Sequence, residues 1–87
     1  MKAVITVIGK DMVGILAKVS TTCAEANANV LEVTQSVLQD YFAMVMLVEI
    51  TEMTCQLEEL KATLDQNVDG MTIHVMHEDI FNSMHRV

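Results

Sequence analysis

The chain has 87 residues, of which 52% are hydrophobic and 20% charged. That is enough for one domain and not for two. A domain of this size hides only about 60% of the surface its unfolded chain exposes, so part of the apolar surplus is expected in a subunit interface. Twelve acidic residues against five basic ones give a net charge of −7, which argues against binding nucleic acid, where affinity rests on Lys and Arg contacts to phosphate, and against binding an anionic membrane surface.

Residues 3–8 (Ala-Val-Ile-Thr-Val-Ile) are apolar apart from Thr6 and β-branched apart from Ala3, and are predicted to form a largely buried strand. Gly9-Lys10-Asp11 breaks the run. Ile15, Leu16, Val19, Cys23 and Ala26 then recur at three- and four-residue spacing, the stripe of an amphipathic helix over roughly residues 12–27. Asn27-Ala28-Asn29 ends it, because Asn tolerates left-handed backbone. Residues 30–38 read as a second strand, with Leu31, Val33 and Val37 on one face and Glu32, Thr34 and Ser36 on the other, hence half buried and half wet.

Gln39-Asp40 is short enough for a hairpin turn but lacks the favoured glycine. Residues 41–51 form a third strand, apolar on both faces at its centre, as in a strand covered on both sides or one at an interface. Thr54 is expected to cap a second helix, roughly residues 54–66, with Leu57, Leu60 and Leu64 inward and an i,i+3 pair between Glu58 and Lys61. A turn over Asn67–Gly70 leads to a fourth strand, Met71 to Met76. From Asp79, the spacing of Ile80, Phe81 and Met84 predicts a short helical tail.

The order strand–helix–strand–strand–helix–strand defines an α+β, ferredoxin-like βαββαβ sandwich. Right-handed crossovers place both helices on one face of a four-stranded antiparallel sheet. The other face then meets water, a partner or a ligand. The expected organisation is a single domain over 1–87, with 77–87 as a C-terminal extension.

Met1-Lys2 leads straight into the first strand, with no long apolar core or cleavage site of a signal peptide. No stretch approaches the roughly 20 apolar residues of a membrane span, so a cytoplasmic protein is expected. Cys23 and Cys55 form no CxxC pair. Cys23 falls on the apolar stripe, where an inert buried thiol is the default. The eight methionines read first as pliable core filling.

The segment Gly9-Lys10-Asp11-Met12-Val13-Gly14-Ile15 joins the first strand to the first helix. A helix N-terminus presents backbone N–H groups and a partial positive charge, to which a carboxylate can dock. Gly14 lacks a Cβ, so a ligand or a second chain can approach the backbone closely. Asp11 reads either as a structural N-cap or as a contact for a ligand ammonium. Asn29 reads either as turn geometry or as a donor and acceptor for a bound amino acid. His74 and His77, three apart on a strand, split to opposite faces, so no metal site is expected. No nucleophile–base pair, P-loop or dinucleotide fingerprint occurs. The reading is therefore of a protein that is not an enzyme and carries no cofactor.

The run Gly9 to Val19, followed by Asn27-Ala28-Asn29-Val30-Leu31-Glu32-Val33-Thr34-Gln35, resembles an ACT domain. It is most similar to small stand-alone members related to the glycine-cleavage-system repressor, as is the tail Asp79 to Met84. The resemblance implies a regulatory module that pairs side by side, joining two sheets into one of eight strands. It also implies an amino acid or similar small ligand at the interface, between the loop before the first helix of one chain and the start of the second strand of its neighbour. Asp11 then matches a polar ligand contact, Gly14 the glycine that leaves room, and Asn29 a ligand-bonding position, with Met12, Val13 and Ile15 flanking. Two departures stand out: Val13 replaces a frequent proline, and Asp11 is acidic where some binders carry Asn. The function expected is amino-acid sensing by a homodimer that signals to a partner protein or enzyme. The alternative is a dimerisation or protein-interaction module with no small ligand.

Overall fold

Strand β1 (Lys2–Lys10) lies between two antiparallel neighbours, β3 (Tyr41–Glu49) and β4 (Thr72–His77), while β2 (Asn29–Leu38) pairs with β3 on its far side, giving the sheet order β2-β3-β1-β4. Helices α1 (Ile15–Glu25) and α2 (Leu57–Asn67) supply the crossovers, and α3 (Glu78–Met84) follows β4 directly. The computed structural model describes residues 1–10 and 14–84. Within them the order is the expected βαββαβ.

Residues directly opposite in a sheet share a face. Ala3, Ile5 and Val7 stand opposite Val48, Met46 and Met44, and all six are fully buried. Ile15, Val19 and Cys23 of α1 and Leu60 and Leu64 of α2 close the same core. Methionine thus fills the centre of β3, where its unbranched chain adapts to the gap between two helices. Burial raises the Cys23 thiol to about 11, so it stays protonated and unreactive. On the opposite face Ile8, Tyr41 and Val45 remain exposed. Val4 is buried there, at the end of the sheet where α3 packs against β1 and β4.

The helix ends follow local chemistry. At the C-terminus of α1, Asn27 takes a positive φ of 60°. The amide of Ala28 donates to Cys23 O and that of Asn27 to Ala24 O, the two bonds of a Schellman turn. Thr22, buried in α1, donates its hydroxyl to Lys18 O and accepts from Asn67 Nδ2 of α2, so its polarity joins the two helices.

Four details depart from expectation. Helix α1 begins at Ile15 because Gly14 adopts φ 83°, outside helical geometry. Helix α2 begins at Leu57 with Gln56 as its N-cap. Thr54 instead bonds Ala26 O through both its amide and its hydroxyl, fastening the β3–α2 loop to the end of α1. Lys61 pairs with Asp65 at 2.7 Å, one turn onward, rather than with Glu58. In β2 a bulge between Val30 and Glu32 takes Leu31 out of the ladder. Leu31, Val33 and Val37 are all exposed, because β2 is an edge strand whose end no helix covers.

Candidate functional site

Two glycines frame the segment between β1 and α1, and they differ in kind. Gly9 lies on the helix-side face, where a Cβ would collide with the Met71 sulfur and crowd Gly70 O. Its smallness lets β1 pass close to the turn before β4, a packing role. Gly14 is the N-cap of α1 in left-handed conformation, and a Cβ there would meet nothing within 4 Å. Its smallness is needed for the backbone angle, and the space beside it is open within one protomer.

Ile15, next in the chain, is 2% exposed. Its side chain belongs to the core, so only its backbone stands at the helix start. Asp11, Met12 and Val13 lie outside the described residues.

Asn29 is exposed at the first position of β2, beside a recess of about 240 Å³ lined by Ala24, Asn27 and Ala28. Asn29 stands opposite Glu49, which stands opposite Lys2. The other end of the sheet aligns Leu38, Tyr41 and Lys10, and Gly14 follows shortly after Lys10. Eight residues of strand separate Lys2 from Lys10, roughly 26 Å at about 3.3 Å per residue. A single protomer therefore does not bring Gly14 and Asn29 together. They lie at opposite ends of α1 and of the sheet.

At the Asn29 end, the ammonium of Met1 contacts Glu49 Oε1 at 2.9 Å and Thr51 Oγ1 at 2.8 Å. The Thr51 hydroxyl, then that ammonium and the Thr51 amide, hold the Glu49 carboxyl down at about 2. Pattern reading missed this cluster, since residues 1 and 49 meet only through the β1–β3 register. It also missed a cleft of about 410 Å³ between α2 and the end of β4, whose lining comes from distant parts of the chain and has no local signature. His74 and His77 do fall on opposite faces, facing Thr6 and Ala3 respectively. No helix among the described residues is long and apolar enough to cross a membrane.

The family model for the ACT domain matches residues 2–78. A UPF0237 protein of Listeria monocytogenes is 44% identical, with all of both chains covered. The ACT domain protein from Streptococcus pneumoniae is 34% identical, with 98% of each chain covered and a TM-score of 0.76. A putative glycine cleavage system transcriptional repressor shares the fold at TM-score 0.69 and 23% identity, over 85% of this chain and 43% of its own. On the family match, on full-length relatives at this identity and on the βαββαβ order, the chain belongs to the ACT domain family.

Proposed function

We propose that this protein is a non-catalytic regulatory module that pairs through β2 and holds an amino acid or similar small ligand between two protomers. The observation that carries the reading is the separation of Gly14 and Asn29 in one chain. Strand β2 is an edge strand with exposed Leu31, Val33 and Val37. A second copy pairing antiparallel along it, with a two-fold near the strand's middle, sets residue 29 of one chain beside residue 38 of the other. That is the end of the sheet from which the loop to Gly14 departs. The two halves of the site then meet across the interface, and each dimer carries two equivalent sites.

Asp11, Met12 and Val13 would border the ligand on the loop side, with Asn29 of the second copy on the other. The open space at Gly14 gives room, and the start of α1 favours the ligand's carboxylate. Because the ligand touches both chains, it tightens the pair by mass action. A changed dimer surface can then alter affinity for a partner protein or enzyme. One ACT unit per chain, with α3 as an extension and a place in the cytoplasm, completes the proposal.

A second reading draws on the same edge. The exposed valines of β2 suit a dimerisation or protein-interaction module with no small ligand. A thermal-shift screen against the twenty amino acids, with mass by light scattering, separates the two. A dose-saturating rise of several degrees for one or two amino acids supports the sensor. An unchanged melting point at millimolar ligand, with a stable dimer, favours the interaction module.

A further inference from the structure

The sheet face turned away from α1 and α2 takes no part in the reading above. Beyond the end where Val4 is buried, Ile8, Tyr41 and Val45 stand exposed on it, with Thr6 and Ala43 half-buried between them. The register sets the row through Val45 and Thr6 beside the row through Ala43 and Ile8. From β2 to β4 these two rows hold no carboxylate, lysine or arginine. Over the whole face the strands contribute Lys2 and Lys10 against Glu32 and Glu49. Its charges cancel in a chain of net charge −7. The acidic excess lies elsewhere, as on α2, where Glu58, Glu59 and Asp65 outnumber Lys61. A second copy carries the same excess and is repelled there, so it approaches best where the charges cancel. A basic partner is drawn to the acidic surfaces instead, and nucleic acid needs a cationic face.

Size decides which form of the chain can stack. Ile5–Lys10 pairs with Tyr41–Met46 over this part of the sheet, a length of about 20 Å at about 3.3 Å per residue. Four strands about 4.8 Å apart give a width of about 19 Å. One protomer thus offers at most about 400 Å² of uncovered face, half of the roughly 800 Å² that each partner commits to a standard stable interface. Pairing through β2 about a two-fold normal to the sheet puts both open faces on one side and doubles the area.

We propose that two β2-paired dimers stack through these open faces into a D2 tetramer, sheet on sheet about 10 Å apart. The stack rests on the β2 pairing proposed above, and a lone protomer is too small to stack.

The test is sedimentation and light scattering of the full chain from about 10 µM to about 1 mM. Dimers should give way to tetramers as concentration rises. Ile8→Glu and Tyr41→Glu replace side chains that are 47% and 59% exposed, so the folded content by circular dichroism should not change. Each should leave dimers that form no tetramer over the same range. Val33→Lys with Val37→Lys, at the other interface, should give monomers that do not stack. A wild type no larger than a dimer at about 1 mM, or tetramers that persist in both glutamate variants, would overturn the stack and leave the β2 pairing standing. Lysine variants that still form dimers would instead overturn the β2 pairing, and with it the order of assembly.

Discussion

Strands β1 and β2 are built from the same kinds of residue and meet opposite fates. In β1, Ala3, Ile5 and Val7 are fully buried, because a strand lies on each side and two helices lie above. In β2, Val33 and Val37 point to the same helix side as Met46 and Phe42, yet are 37% and 58% exposed. Topology and not hydropathy separates them, since β2 has one neighbouring strand and no helix over its far end. A natural chain that leaves an apolar edge unprotected invites another strand. The β1 region therefore carries the stability of the protomer, and the β2 region is available for assembly.

Substitutions should divide along that line. The largest effect is expected at the core. Leu64→Ala removes a fully buried side chain and should cost about 2–5 kcal/mol, read as a fall in denaturation midpoint. On β2, the pair Val33→Lys and Val37→Lys should change the stability of the protomer by only about 0.5 kcal/mol. Two added cations on the edge should nevertheless convert a dimer to a monomer by light scattering. A large loss of protomer stability would show that β2 belongs to the core after all.

A smaller effect is expected at the tethered end of β1. The Glu49 carboxyl is held at about 2, against an ordinary 4.5. A carboxyl depressed by folding stabilises the folded state above its unfolded value, and the benefit is lost as pH falls through the folded value. Wild type should thus lose stability between about pH 4.5 and 2 through this group. Glu49→Gln should flatten that part of the curve and change nothing in its shape near neutrality.

Much of this architecture was legible in residue order. The element order, the buried positions Ile15, Val19 and Cys23 of the first helical stripe and Leu60 and Leu64 of the second, and the Asn27 stop read correctly, because each is set by neighbours a few residues away; Leu16, placed on the first stripe, is exposed. The misreadings share a cause. Met12 and Val13 continue the apolar run of α1, but the left-handed Gly14 fixes the helix start at Ile15. Thr54 has the chemistry of a cap, yet a carbonyl 28 residues back, Ala26 O, takes its hydroxyl. The alternation in β2 promised a face buried along its whole length, and only the sheet order reveals an edge strand whose far end no helix covers. For the proposed site, the resemblance points to Gly14 and Asn29. That they stand at opposite ends of one protomer is a property of the register and could not be read from their spacing.

The central claim is that the ligand site is shared between two chains. It is tested by mixing two variants, Gly14→Val and Asn29→Ala, each expected to bind no amino acid as a homodimer. Valine in the left-handed conformation costs about 1–2 kcal/mol, which leaves the core intact. In a mixed dimer, the Gly14 of one chain faces the Asn29 of the other at one of its two sites. Unfolding and refolding the two together should restore about a quarter of the wild-type sites, as statistical pairing of two chains in a two-fold dimer requires, counted by calorimetry with the amino acid that shifts the wild-type melting point. A mixture that binds no more than its separate components would contradict the shared site.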